Sequence, residues 1–387
     1  MKSLDKNFRH LSREDKLKQL VDYGWLDKTN YQTLLSNPVI DEEVANSLIE
    51  NVIGQGTLPV GLLPKIIVDE KEYVVPMMVE EPSVVAAASY GAKLVNQTGG
   101  FKTIKSERLM IGQIVFDDVK DTEDLTQRIQ KQENQIKRIA DEAYPSIIHR
   151  GGGYRGIDID AFPNEQLLSL KVFVDTKDAM GANMLNTILE AVTAYLKNEL
   201  TDQEILMSIL SNHATSSVVR VEGEIDINDL NRGDYSGEEV AKRMERASVL
   251  AQVDIHRAAT HNKGVMNGIH AVVLATGNDT RGAEASAHAY AARDGQYRGM
   301  ATWKYDKARG RLVGTIEVPM TLAIVGGGTK VLPIAKASLD LLNVESAREL
   351  GHVVAAVGLA QNFSACRALV SEGIQKGHMS LQYKSLA

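Results

Sequence analysis

Five short stretches of this chain carry side chains able to do chemistry. Glu80-Glu81-Pro82-Ser83 sets two adjacent carboxylates ahead of an apolar helix, where one can move a proton or both can simply complement the helix dipole. Asp254 to Arg257, followed by Thr260-His261-Asn262-Lys263-Gly264, puts an ammonium among Asn and Gly just after an apolar helix. Such a Lys either meets a ligand's negative charge or stays solvated. Thr276-Gly277-Asn278-Asp279 follows the apolar run of residues 271–275, and its acid, read at a strand end, is either functional or part of an ordinary Asx turn. Gly377-His378-Met379 offers one imidazole, suited to proton transfer near neutral pH or to complementing a helix end. Asp178-Ala179-Met180-Gly181-Ala182-Asn183 passes from a strand into a helix, and the free N–H groups of that helix start suit a pyrophosphate or mark a plain turn. Taken singly, these signals name no reaction.

Other motifs fail on their context. Gly151-Gly152-Gly153-Tyr154-Arg155-Gly156 satisfies G-x-G-x-x-G, but Ile157-Asp158-Ile159-Asp160 then alternates like a strand where the dinucleotide fingerprint needs a helix. Gly326-Gly327-Gly328-Thr329-Lys330 has Thr329 where a phosphate loop needs Gly, and Val331 where it needs Ser or Thr. The nine His residues show no metal-ligand spacing. The one cysteine, Cys366, can form neither an intrachain disulfide nor a Cys-rich zinc centre, which points to a reducing compartment.

The elements that position these residues fall into four stretches. Residues 1–60 read as short helices, followed by a Gly/Pro-punctuated passage through Pro64. Pro82 and Gly99-Gly100 bracket an apolar helix that starts at Val84. From about residue 107 to 227, strands and helices alternate. That region holds a strand over 109–116, an amphipathic helix carrying Leu125, Ile129, Ile136 and Ile139, a strand over 168–174 and a helix with Met184, Ile188 and Val192 on one stripe. Strands over 205–210 and 218–227 complete a count that suits a small split βαβ domain of ferredoxin type, read as an insertion. A long helix from Glu238, a hairpin around 306–310 and a helical C-terminal third follow.

At 387 residues the chain is long for one core, and it suggests two domains or one with a large insertion. Lys+Arg 43 against Asp+Glu 50 leaves a net charge of -7 and no basic face for nucleic acid. The start lacks an apolar signal region and no window approaches a membrane span, so a cytoplasmic protein without membrane or nucleic-acid partners is expected. Composition and spacing thus give a two-domain α+β protein with a candidate anion site at the 178–183 turn, and name no reaction.

Taken together, the stretches resemble the bacterial, soluble class (class II) of 3-hydroxy-3-methylglutaryl-coenzyme A (HMG-CoA) reductase. The matching segments are residues 50–54, 76–89, 178–186, 257–268, 275–279, 326–330, 357–362 and 372–379, in the family's order and across nearly the whole chain. The resemblance implies an α+β fold: a large mixed helical and sheet domain over 1–106 and 216–377, with an inserted small ferredoxin-like (split βαβ) NAD(P)-binding domain over 107–215. It is not a Rossmann fold. Residues 378–387 would begin a C-terminal helical flap that family members continue further. The implied assembly is a homodimer with active sites at the subunit interface, a higher oligomer remaining open. The implied activity is reduction of (S)-HMG-CoA to mevalonate and coenzyme A with two hydrides, in isoprenoid biosynthesis.

Roles carry over residue by residue, as the resemblance implies them. Lys263 matches the catalytic lysine that stabilises the oxyanion, and Glu81 the acid that protonates the aldehyde oxygen. Asp279 matches a carboxylate sitting between those two, and His378 the residue that protonates the leaving thiolate. Ser83, Arg257, Asn267 and Gln361 match positions holding the hydroxymethylglutaryl group, and Arg9 a basic residue near the coenzyme A phosphates. Cofactor contacts match Asp178, Met180, Gly181, Asn183, Asn212, Gly327 and Thr329. The physics of Glu81 pulls two ways, since a helix start favours the carboxylate whereas a proton donor needs a raised pKa.

The sequence departs from NADH-using members, which carry an aspartate shortly before the Gly-Gly-Gly turn. Aligned from Gly151 without gaps, that position is Tyr144, with His149, Arg150 and Arg155 nearby, which points to NADPH over NADH. Asp141 and Glu142 are close enough for a small alignment shift to restore a carboxylate, so NADH stays open. The alternative reading is a coenzyme A or nucleotide-binding protein on the same fold that has lost catalysis, although Glu81, Lys263, Asp279 and His378 are all present.

Overall fold

The computed structural model describes residues 4, 8–36 and 40–373. Two compact units emerge. One runs through Lys105, resumes over Val219–Val318 and continues from Leu322; the other holds Ser106–Val218 with Pro319–Thr321.

The larger unit opens with three short helices, α1 (Arg13–Asp22), α2 (Lys28–Ser36) and α3 (Glu42–Leu48). A two-stranded antiparallel hairpin follows, β1 (Val60–Val68) and β2 (Lys71–Met78). Pro64, expected in a loop, lies inside β1 where the register slips between Leu63 and Ile66, since a bulge is where a strand tolerates a residue without an N–H. Next come α4 (Val84–Asn96) and β3 (Lys102–Ser106).

The smaller unit runs β4 (Met110–Asp117), α5 (Thr122–Lys131), α6 (Glu133–Ala143), α7 (Pro145–His149), β5 (Gly153–Phe162), β6 (Leu167–Asp175), α8 (Ala182–Glu199) and β7 (Glu204–Leu210). Its sheet has the order β5-β6-β4-β7 with all neighbours antiparallel, which is the split βαβ arrangement. The single helix expected over 125–139 is two, because the chain turns at Gln132, where α5 ends and α6 begins. Leu125, Ile129, Ile136, Leu170, Ile188 and Val192 share the core between helices and sheet.

The chain then returns through β8 (Val218–Asp226), α9 (Gly237–Val253), α10 (Ile255–Ala275), α11 (Thr280–Ala291), β9 (Ala301–Asp306), β10 (Arg311–Pro319), α12 (Gly328–Val331), α13 (Pro333–Leu342) and α14 (Ala347–Val370). The strand expected to finish the small domain, β8, pairs elsewhere, in the sheet β3-β8-β10-β9. Its alternation was legible but not its partner; the strand that does belong is β5, which follows the glycine turn. Residues 271–275 end a helix rather than a strand: α10 runs through them.

The core of the larger unit is α14 with α4 and α10 against it. A Cβ on Gly91 of α4 would sit 2.2 Å from the Ala360 carbonyl oxygen of α14, and one on Gly268 of α10 would sit 2.9 Å from the Gln361 Cβ. Only glycine allows these approaches. Among the described residues α14 alone is long and apolar enough to cross a membrane, but 72% of its apolar window is buried within the protein, as in a core helix.

Candidate active site

Asp254 ends α9 and caps α10, its carboxylate accepting the N–H groups of His256 and Arg257. From there α10 continues unbroken, so Lys263 lies in mid-helix and not after one as its Asn/Gly neighbours suggested. Lys263 and Asn267, one turn apart, share a face. Against that face comes Glu81, from the bend between β2 and α4. Lys263 Nζ lies 2.6 Å from Glu81 Oε2, and Asn267 Nδ2 donates to Glu81 Oε1 at 3.3 Å. Both carboxylate oxygens are thereby held, while the Lys263 side chain stays 60% exposed and Glu81 34%. The ammonium is anchored on one side and open on the other.

Ser83, two residues on, is the N-cap of α4 with φ 74, a left-handed conformation unusual for a residue with a Cβ. Arg257 projects from α10 six residues before Lys263, about 120° around the helix from it. Its Nη2 donates to Cys366 Sγ of α14 at 3.8 Å. Gln361, also on α14, is buried beside Gly268, and its Oε1 has no hydrogen-bond partner among the described residues. A buried oxygen of this kind is costly unless something supplies a donor.

Beside Arg257 lies a buried polar group whose members the sequence named singly but did not bring together. His261 Nε2 donates to Ala301 O at 2.9 Å, while its Nδ1 is 3.8 Å from Cys366 Sγ. Cys366 Sγ is 3.6 Å from Asn362 Oδ1, which accepts the Trp303 indole N–H at 2.9 Å. Burial, with the Arg257 charge adding to it, lowers His261 to about 4 against a weaker pull from the Ala301 carbonyl. The imidazole is therefore neutral. Burial pushes the Cys366 thiol up to about 11, opposed by Arg257, so the sulfur stays protonated.

Asp279 is not between Lys263 and Glu81. Its carboxylate caps α11, accepting the Gly282 N–H, and Arg281 lies 4.0 Å away. No hydrogen bond or ion pair joins it to Glu81 or Lys263 among the described residues. The cause is helix length: Lys263 and Ala275, where the Asp279 turn begins, are separated by about 18 Å of helix rise. The turn itself is rigid. Asn278 donates to Ala323 O and accepts from Ala323 N, and a Cβ on Gly277 would press on Ala335 at 2.8 Å. Gly327 begins α12 with φ 53, and buried Thr329 bonds back to Gly326 O.

In the smaller unit, Asp178, Met180 and Gly181 form the turn into α8, and Asn183 is exposed in its first turn. Gly181 has φ 90, and a Cβ there would meet Thr176 Cγ2 at 2.3 Å. No side chain caps α8, so its leading N–H groups are available to an anion. Buried Arg108, which sequence reasoning missed, pins this turn by donating to Lys177 O and Ala179 O. Asn212 is exposed beyond β7.

At the Gly151 turn, Tyr144 is half-buried at the start of α7, and exposed Arg150 donates Nε to Ser146 O. Arg155, read from sequence as a further basic neighbour for a phosphate, spends its guanidinium on the carbonyls of Gly151, Gly152 and Tyr154 and on Asp175 at 3.3 Å. His149 Nδ1 is 2.9 Å from Pro145 O. Asp141 is ion-paired with Lys137 at 2.5 Å and lies beside Gly153. His378 lies outside the described residues, as does the side chain of Arg9. Among the described residues no group of acids, His and Cys could hold a metal.

Comparison with known proteins addresses the whole chain. The hydroxymethylglutaryl-coenzyme A reductase family model matches residues 12–383. The 3-hydroxy-3-methylglutaryl-coenzyme A reductase of Archaeoglobus fulgidus is 42% identical over 390 residues, covering 100% of this chain and 87% of that protein. A probable reductase of Borreliella burgdorferi is 34% identical, covering 99% and 86%. Among solved structures, a class II 3-hydroxy-3-methylglutaryl-CoA reductase from Streptococcus pneumoniae, described as bound to NADPH in open conformations, has a TM-score of 0.91 and 43% identity, covering 95% of this chain and 99% of its own. Likeness of this extent, in sequence and in shape, carries one conclusion: the chain belongs to the hydroxymethylglutaryl-coenzyme A reductase family.

Proposed function

We propose that this chain reduces (S)-HMG-CoA to mevalonate and free coenzyme A, with NADPH as the preferred reductant. The observation that carries the reading is the Lys263–Glu81–Asn267 cluster, a lysine and an acid in contact with one side open. Two NADPH molecules, bound one after the other, would each supply one hydride to the carbonyl carbon. As negative charge grows on the carbonyl oxygen, the Lys263 ammonium stabilises it, an effect often worth several kcal/mol. Glu81, whose two oxygens accept from Lys263 and Asn267, would pass a proton taken up from water to the aldehyde oxygen in the second reduction. Arg257 grips the free carboxylate, and the unpartnered Gln361 Oε1 suits the substrate hydroxyl as donor. His378 protonates the departing thiolate, and Ser83 and Arg9 contribute to substrate and coenzyme A binding.

The uncapped start of α8, with Gly181 and Asn183, fits a dinucleotide pyrophosphate, and Asp178 and Met180 beside it would contact other parts of the cofactor on the smaller unit. The preference for NADPH rests on Tyr144 in place of an acid, on exposed Arg150, and on the pairing of Asp141 with Lys137, which offsets the nearest carboxylate. A homodimer, as the resemblance implies, would reconcile Asp279 with its expected place: α10 separates it from Lys263 within one chain, and a second copy would bring a carboxylate beside Lys263 and Glu81. The cytoplasm is the proposed compartment.

The test is NADPH oxidation by the purified protein on adding HMG-CoA, with NADH in parallel and free thiol followed in the same cuvette. Two NADPH consumed per thiol released, with NADH much slower, supports the reading. Comparable efficiency with both cofactors removes the preference. HMG-CoA binding without oxidation by either leaves a binding protein instead. Unchanged turnover of thioester and free aldehyde by Glu81→Gln removes Glu81 from the mechanism.

A further inference from the structure

The proposed mechanism leaves two buried, chemically capable side chains unused, His261 and Cys366. They occupy a specific place. Arg257 and His261 are one turn apart on α10, and Asn362 and Cys366 are one turn apart on α14, so two i,i+4 pairs face each other across the contact between these helices. The chain of contacts runs from Trp303 N–H to Asn362 Oδ1 at 2.9 Å, on to Cys366 Sγ at 3.6 Å, and from Sγ to Arg257 Nη2 at 3.8 Å. His261 closes it from the side: its Nε2 lies 2.9 Å from Ala301 O and 3.2 Å from Asn362 Nδ2, and its Nδ1 3.8 Å from the same sulfur.

Proton bookkeeping gives this arrangement a direction. Ala301 O can only accept, so Nε2 carries the proton, the Asn362 amide N–H 3.2 Å away makes no bond to it, and neutral His261 presents a bare Nδ1 lone pair. Cys366 S–H can then donate toward Nδ1 or toward Asn362 Oδ1, and either choice leaves a sulfur lone pair facing Arg257. Guanidinium is a rigid planar fork, so holding one N–H orients the others. We propose that Cys366 and His261 are positioning residues that hold the Arg257 guanidinium ready for the substrate's free carboxylate. The inference rests on the reading of Arg257 as the carboxylate grip. It goes beyond that reading by naming what aims the grip, and it assigns the chain's one cysteine to substrate selection, not to redox or covalent chemistry.

The test uses two competitive inhibitors of the full-length protein, 3-hydroxy-3-methylglutarate, which carries the carboxylate, and coenzyme A, which lacks it. Arg257→Ala comes first: an inhibition constant for 3-hydroxy-3-methylglutarate that stays at the wild-type value removes the reading of Arg257 itself. With that reading intact, Cys366→Ala is expected to raise this constant about five- to tenfold while leaving that of coenzyme A within about twofold, the loss of one weak orienting contact. Cys366→Ser, which keeps a polar atom in place, is expected to return it close to wild type. His261→Gln removes the imidazole Nδ1 and should act in the same direction, providing the same readout if Cys366→Ala does not fold. Equal shifts for both inhibitors, no shift in the folded variants, or failure of Cys366→Ser to rescue would each overturn the proposal.

Discussion

The buried imidazole of His261 makes the stability of this protein depend on pH in a calculable way. Folded, His261 titrates at about 4; unfolded, at its ordinary 6.5. Its folded value is depressed, so above 6.5 neither state binds the proton and the group costs nothing. As the pH falls below 6.5 the unfolded chain takes up a proton that the folded chain refuses, and stability drops by about 1.4 kcal/mol per pH unit until about pH 4. The full loss is about 3 kcal/mol, of which about 2 falls between pH 7 and pH 5. Since the side chain is buried, solvent screening takes little from this figure. The assay is urea unfolding of wild type and His261→Gln at both pH values, read as the change between pH values within each protein. That comparison cancels the cost of the substitution and the acid sensitivity shared by both, including that of His352, which burial also shifts downward. Wild type should lose about 2 kcal/mol more than the variant on going to pH 5. An equal loss in the two proteins would refute the claim that His261 is held neutral by burial.

Three further outcomes follow from the geometry. Lys263→Ala should lower kcat by about 10²- to 10³-fold with little change in unfolding midpoint, because a largely exposed ammonium contributes to catalysis more than to folding; a loss under tenfold would remove its oxyanion role. Mixing the inactive variants Lys263→Ala and Asp279→Ala under subunit exchange should recover about a quarter of wild-type activity, since half of the random dimers carry one intact site of two; no recovery would mean that both residues act within one chain. Gly91→Ala should destabilise the protein by about 3 kcal/mol or more, as the added methyl meets the Ala360 carbonyl at 2.2 Å and neither helix backbone can yield; a midpoint shift worth under 1 kcal/mol would contradict the close approach of α4 and α14.

Local pattern carried the elements, and long-range pairing decided the rest. The period-two run in β6 and the stripe on α8 were readable because side-chain burial repeats within each element. The partner of β8 was not, since alternation says that a strand has one buried face without saying in which sheet. Lys263 was picked out by its Asn and Gly neighbours, yet those neighbours were misread as a helix end. Asn262 is instead buried, bonding the backbone of Arg298 and Met300, while Gly264 comes within reach of Ala365 on α14. Asp279 was legible as a capping acid in a tight turn, but its distance from Lys263 depends on the full length of α10. His261 was visible only as a neighbour of Lys263 and Cys366 only as a sign of compartment, because a lone His and a lone Cys on apolar helices look like core until the two helices are set side by side.

The glycines on either side of α14 have a consequence for how the site can change over time. Glu81 arrives ahead of α4 and Lys263 rides on α10, and α14 lies against both, touching Gly91 on one side and Gly268 on the other. In engineering terms α14 is a backing plate: it fixes how closely α4 and α10 come to it, while the acid and the lysine meet where β2 and α4 pack on α10 itself. Added bulk where α14 meets Gly91 or Gly268 would displace α4 or α10 and with them the 2.6 Å contact. Altered turnover in a variant of α14 away from Gln361, Asn362 and Cys366 should therefore be traced first to a change of gauge.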